Sequence, residues 1–148
     1  VSETNDLIKL YSTKILALAA EIPHLGRLEA PQASVKKRSP LCGSTVTVDL
    51  DMKDGKVSRF GQEVKACALG QASAAVLGEA VIGRTAEELE GIAQDLEAML
   101  KQDGPVPPAP FDGYETLLPA REFKNRHASI LLSVQAAAEA ARQAEAAA

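Results

Sequence analysis

The sequence has no Trp, only three Phe and two Tyr, and just two Cys and two His among its 148 residues. Aromatics make up 3% while hydrophobic residues as a whole reach 46%, so the core has to be built largely from Ala, Val, Leu and Ile. The length suits one domain with a real core. So few rings leave no stacking surface for bases, and a net charge of −4 removes the general attraction to phosphate backbones, so no nucleic-acid partner is expected. No apolar run approaches the length that spans a bilayer, which leaves no membrane role to expect. The start, Val1-Ser2-Glu3-Thr4-Asn5-Asp6, lacks the basic residues and apolar stretch of a secretory signal. Together with two thiols read as reduced, this points to a cytoplasmic protein. There is no nucleotide loop and no recognisable Ser-His-Asp context, so an enzyme is not expected and no catalytic residue is assigned.

What is present is periodicity. Asn5 or Asp6 can cap a first helix running to about Ala20, with Leu7, Ile8, Leu10, Tyr11, Ile15 and Leu18 as its apolar positions. Pro23 and Gly26 end it in a loop. A weak strand is expected over 33–39, then one over 44–52 in which Val46, Val48, Leu50 and Met52 share a face. Asp49 and Asp51 fall on the opposite, solvent side, where they make no acid–base pair. Asp54-Gly55 is a hairpin signal, and a third strand returns over 56–65. Val57 and Val64 lie on opposite faces by strict alternation, so this strand needs a bulge near Gly61 or burial on both sides. A helix rich in small residues follows over 68–82 and stops at Gly83. Thr85 and Glu88 then read as a capping box opening another helix. Residues 103–110 form a Pro-rich connector, a short element around 114–118 precedes Pro119, and a last helix spans about 128–145 before an Ala-rich tail expected to fray. The fold class expected is α+β: a three-stranded antiparallel sheet packed against helices on one side.

The chemistry-bearing residues stand at the ends of these elements. Cys42 sits just before the second strand, Cys67 opens a helix, and His127 begins the last one. Two thiols and an imidazole so placed can converge on one metal or iron–sulfur site. Spacing alone leaves this open, because cysteine is among the most buried residue types and a histidine at a helix start also serves as a cap. His24 reads as a surface residue of the first loop and Tyr11 as an aromatic at the edge of the core. Lys36-Lys37-Arg38 reads as a solvated strand end, or as a basic cluster for an acidic partner.

Several short motifs recur in one order. Tyr11-Ser12-Thr13-Lys14-Ile15, Pro23-His24-Leu25-Gly26, Cys42-Gly43, the Asp54-Gly55 hairpin, Cys67 with Gly70-Gln71-Ala72-Ser73-Ala74, Gly83-Arg84-Thr85 and His127-Ala128-Ser129-Ile130-Leu131 follow one another along the chain. In content, order and spacing they resemble the U-type iron–sulfur cluster scaffolds, the family of IscU, SufU and the N-terminal domain of NifU. The resemblance runs from about Asp6 to Ala141 and implies a single NifU N-terminal/IscU-like domain over 1–148 with a SufE/NifU-like fold. It implies a scaffold of cluster assembly, with Cys42, Cys67 and His127 holding iron, zinc or a [2Fe-2S] cluster. It also implies a cysteine desulfurase and iron–sulfur acceptor proteins as partners, with an outside ligand or a homodimer contact completing the site. The chain departs from the family where Ala128 replaces the third cysteine and Ser44 an aspartate. Leu118-Pro119-Ala120-Arg121-Glu122-Phe123 stands where some members carry a Leu-Pro-Pro-Val-Lys chaperone motif. These departures raise two alternatives: a degenerate member that binds or regulates proteins without assembling clusters, or a structural zinc domain.

Overall fold

The computed structural model describes residues 11–40 and 43–147. Three strands, β1 (Ala33–Arg38), β2 (Thr45–Lys53) and β3 (Lys56–Lys65), form an antiparallel sheet in the order β1-β2-β3. The helices are α1 (Thr13–Ala20), α2 (Ala68–Ala80), α3 (Ala86–Lys101) and α4 (His127–Ala147), with 3-10 turns over Asp112–Glu122 and Lys124–Arg126. This is the α+β arrangement expected. Helix α4 lies across β1 and β2, α2 packs beside it, and α1 and α3 pack on α2 and α4 respectively.

The alternating face of β2 supplies the core side of the sheet: Val46, Val48, Leu50 and Met52 are all buried. Ala136, Ala137, Ala140, Ala141 and Ala144 of α4 are buried too, and such small side chains let a helix lie close to its neighbours. The few aromatics are concentrated in the core, with Phe60, Phe111 and Tyr114 buried and the last two stacked at 6.4 Å. Thr85 Oγ1 accepts from Glu88 N while Glu88 Oε1 accepts from Thr85 N, closing the anticipated capping box. Asp54 and Gly55 both take positive φ at the β2–β3 turn, the conformation that a two-residue hairpin demands.

Four expectations need correction. The first helix does not run through Tyr11: Ser12 is extended and its Oγ accepts from Ile15 N, so α1 starts at Thr13. The expected cap at Asn5 or Asp6 lies outside the described residues. The bulge in β3 is not near Gly61. Asp51 pairs with Arg59 and Met52 with Val57, so Ser58 is the extra residue. That one insertion puts Val57 on the same face as Phe60, Gln62 and Val64 and resolves the conflict in alternation. Pro119 lies within the Asp112–Glu122 turns rather than after them. A run of i→i+3 turns tolerates one missing donor better than a continuous α-helix does.

The fourth correction concerns Asp49, which shares the outer face with Asp51 but is fully buried rather than solvated. The loop after α1 crosses that face. Gly26 N donates to Gln62 O at 2.8 Å and Gln62 N to His24 O at 3.0 Å, which ties the loop to the edge of β3. Arg27 and Leu28 then close over Asp49, with Arg27 Nε at 2.6 Å and Leu28 N at 3.0 Å from its carboxylate. Ser34 Oγ donates to the other oxygen at 2.6 Å. Burial alone would raise the Asp49 carboxyl, but these hydrogen bonds outweigh it and hold the group below the ordinary aspartate value.

Candidate functional site

The candidate site lies at the end of the sheet where Arg38, Thr45 and Lys65 are neighbours across the strands. Cys67 follows β3 after a single residue, Ala66, and is the N-cap of α2, with extended φ/ψ and no side-chain cap bond. Its backbone carbonyl accepts from Gln71 N at 2.9 Å, so the helix begins there without engaging the thiol. The thiol of this half-buried residue is thus left at the N-terminal end of the helix without a bond to the helix's own amides.

The partner of the thiol comes from α4. Ser129 Oγ lies 3.7 Å from Cys67 Sγ and donates to Ser44 Oγ at 3.0 Å. Both serines are buried. A hydroxyl has a single hydrogen, so while Ser129 donates to Ser44 it can only accept from the thiol. If the sulfur becomes anionic, rotation of the same hydroxyl can turn its hydrogen toward it. Ser44 therefore sits where the resemblance puts an aspartate, and it takes part in a hydroxyl chain ending at Cys67.

Close approach of α2 and α4 makes this chain possible. A Cβ at Gly70 would stand 2.8 Å from Ser129 Oγ and 2.8 Å from Ala66 Cβ, so only glycine fits without a shift. One turn on, Ser73 Oγ donates to Ile130 O at 2.5 Å and fixes the helices in that register. Ser129 and Gly70 were both inside motifs quoted from the sequence. The signal for their contact was a glycine and a serine each facing a small-residue helix, and it becomes readable only once α2 and α4 are known to touch.

Cys42 lies outside the described residues. On either side of it, Gly43 N donates to Ser39 O at 3.1 Å and Ser39 N to Ser44 O at 2.8 Å, closing the β1–β2 connection at this same end of the sheet. His127, at the start of α4, is buried, with Nε2 2.9 Å from Ala120 O. A carbonyl only accepts, so Nε2 carries a hydrogen in this contact. His127 and Ser129 are two residues apart on a helix and do not face each other. Accordingly, His127 borders a separate groove with Arg121 and Lys124, and no contact among the described residues joins it to Cys67. Among the described residues, no three His, Cys, Asp or Glu side chains gather as a metal cluster would require. Tyr11 is half-buried against the core, and exposed His24 makes an edge contact with Phe60. No helix among the described residues is long and apolar enough to cross a membrane.

Known proteins align with this arrangement along most of its length. The family model of the NifU-like N-terminal domain matches residues 10–115, a stretch holding both cysteines and ending before His127. The iron–sulfur cluster assembly scaffold protein IscU of Thermotoga maritima is 30% identical over 90 residues, which is 61% of this chain and 63% of that protein. The chain thus spans less than two thirds of that curated relative. The crystal structure of a nitrogen-fixing NifU-like protein (N-terminal) from Brucella abortus superposes with a TM-score of 0.92 at 45% identity, covering 97% of this chain and 99% of that one. A candidate SUF-system scaffold from the thermophile Fervidobacterium islandicum AW-1 shares the fold, with a TM-score of 0.79 at 21% identity over 90% of this chain and 98% of its own. With most of its length and both of its thiol positions inside the matching stretch, the chain belongs to the NifU-like N-terminal domain family.

Proposed function

We propose that this protein is a scaffold-like component of iron–sulfur cluster assembly, taking up iron or a [2Fe-2S] cluster as cargo between Cys42 and Cys67. The observation that carries this reading is the placement of Cys67. The residue is half-buried, opens a helix, and stands at the sheet end where Ser39 and Ser44, on either side of Cys42 in the sequence, bond to each other. Soft thiolates suit iron–sulfur clusters and zinc, and a neutral imidazole suits either metal. The donors argued from geometry are the two thiols; His127, the third ligand the resemblance implies, borders a separate groove with Nε2 on the Ala120 carbonyl and would have to turn to reach the same cargo. A cysteine desulfurase would supply sulfur, and acceptor proteins would take the finished cluster. An external ligand or a second copy of the chain would complete the coordination.

A second reading is favoured by Ala128 and by the Ser44–Ser129 bond. The position of a third thiol holds a methyl group, and the position of a carboxylate holds a hydroxyl already engaged with another hydroxyl. A member with that donor set could keep its protein contacts while no longer building clusters. Anaerobic reconstitution with iron, sulfide and thiol separates the two. Stoichiometric iron and sulfide with visible charge-transfer bands, lost in a Cys42→Ala/Cys67→Ala double variant, is the outcome expected of a scaffold. A folded, colourless protein that takes up neither would leave the partner-binding reading, while tight zinc whose removal lowers stability would favour a structural metal site.

A further inference from the structure

The two edges of the sheet are finished differently. Along β3 the edge is closed by the chain itself: residues 24 and 26 bond to Gln62, Val57 N donates to Arg84 O at 2.9 Å, and Gly83 N to Val57 O at 2.8 Å. Strand β1 is the other edge, and among the described residues it pairs only with β2. Because Ser39 and Ser44 form a hydrogen-bonded pair, alternation makes Lys37, Val35 and Ala33 the residues bonded to β2. The backbone N–H and C=O of Ser34, Lys36 and Arg38 therefore point away from the sheet. A groove of about 430 Å³ runs along this edge, between β1 and the Ala128, Leu131 and Gln135 side of α4.

The rim of that groove is basic in an acidic protein. Lys36, Lys37, Arg38 and Lys101 all border it. Lys37 is paired with Glu139 at 2.9 Å, whereas Lys36, Arg38 and Lys101 have no carboxylate within ion-pair distance among the described residues. Lysines on an edge strand commonly serve to prevent self-pairing. That same charge selects a complementary partner: a second β1 edge would stack cations against cations, while an acidic strand would neutralise them.

We propose that the free edge of β1 docks an acidic, extended segment of a partner protein, which adds to the sheet as a fourth strand. Main-chain bonds to Lys36 and Arg38 would hold it. Carboxylates would meet Lys36, Arg38 and Lys101, and alternate side chains would face Ala128 and Leu131 of α4. The inference goes beyond cluster assembly and does not depend on bound cargo, so it can fail without that reading failing.

The test uses the whole chain and a labelled synthetic peptide alternating Glu with Val, followed by anisotropy and amide hydrogen exchange. Saturable binding is expected, with exchange slowed at the Lys36 and Arg38 amides. Affinity should fall about tenfold or more in a Lys36→Glu/Arg38→Glu variant, whose substituted side chains are exposed. A peptide of the same sequence and charge with every backbone amide N-methylated should bind far less, because it cannot donate to the edge in either strand direction. Equal binding by the N-methylated peptide, or binding without protection at Lys36 and Arg38, would overturn strand addition on the wild-type protein alone. Tighter binding of a single-stranded oligonucleotide would instead make this edge a nucleic-acid surface.

Discussion

Asp49 and Cys67 are both polar groups held by residues distant in sequence, yet their surroundings differ sharply. The Asp49 carboxylate is fully buried and receives bonds from Arg27, Ser34 and the Leu28 amide at 2.6 to 3.2 Å. Cys67 is half-buried, and among the described residues its Sγ has one polar contact, 3.7 Å from Ser129 Oγ. The first group is saturated, so its loss would be felt as stability. Among the described residues the second retains unused bonding capacity, so its loss should be felt mainly as chemistry. Saturation therefore separates a group that fastens the fold from one available to a ligand.

The largest effect should come from breaking the saturated cluster. Asp49→Ala leaves the Leu28 amide and the Ser34 hydroxyl without their acceptor beneath the loop, and should cost roughly 2–4 kcal/mol in chemical denaturation. Arg27 is about half exposed, so water recovers most of its share. The same carboxyl sets an acid dependence. Its folded-state value is depressed, so its stabilisation is complete above the unfolded value near about 3.9 and is lost as pH falls through the lower folded value. Asp49→Asn should flatten that part of the stability–pH curve. A loss below about 1 kcal/mol for Asp49→Ala would mean that the loop is held across the sheet by its backbone bonds alone.

The contact that brings Ser129 to Cys67 can be probed through Gly70. Alanine there gains about 1 kcal/mol of helix propensity, but its methyl meets Ser129 Oγ and Ala66 Cβ at 2.8 Å, and overpacking of that kind costs about 1–3 kcal/mol. A net loss of about 1 kcal/mol is expected. Gly91→Ala in α3 is the matched control, since nothing lies within 4 Å of its added Cβ, and it should stabilise by up to about 1 kcal/mol. Equal gains for both variants would show that α2 and α4 have room to part at this point.

Local signals in the sequence were enough for much of the fold. The Thr85/Glu88 box, the Asp54-Gly55 turn and the return strand Lys56–Lys65 stand where periodicity and turn chemistry put them. What could not be read locally depended on distant segments. Asp49 alternates as a solvent-facing residue, and only a loop more than twenty residues earlier buries it. The bulge at Ser58 is a matter of register with β2, which alternation within β3 could demand but not locate. The candidate site was legible as Cys67 opening a helix. Its contact with Ser129, across 62 residues, was not, because serine in a helix usually bonds to its own backbone or to water.

The smallest expected stability effect, that of Cys67→Ala, belongs to the site itself, where the sharpest test of the comparison lies. Cys67→Ala removes a half-buried group with one long polar contact among the described residues and should cost less than about 1 kcal/mol. Ser129→Ala removes the bond to Ser44 and should cost about 1 kcal/mol, somewhat more because both oxygens are buried. Its informative readout is the alkylation of Cys67 by iodoacetamide, followed by peptide mapping so that Cys42 is scored separately. If the Ser129 hydroxyl turns toward sulfur as negative charge develops, its removal should slow modification of Cys67 several-fold at fixed pH while leaving the fold intact. Faster alkylation in the variant would assign Ser129 the opposite role, a cover over the thiol. The unused bonding capacity at Cys67 would then be shielded in the resting protein, and ligand entry would require α2 and α4 to separate.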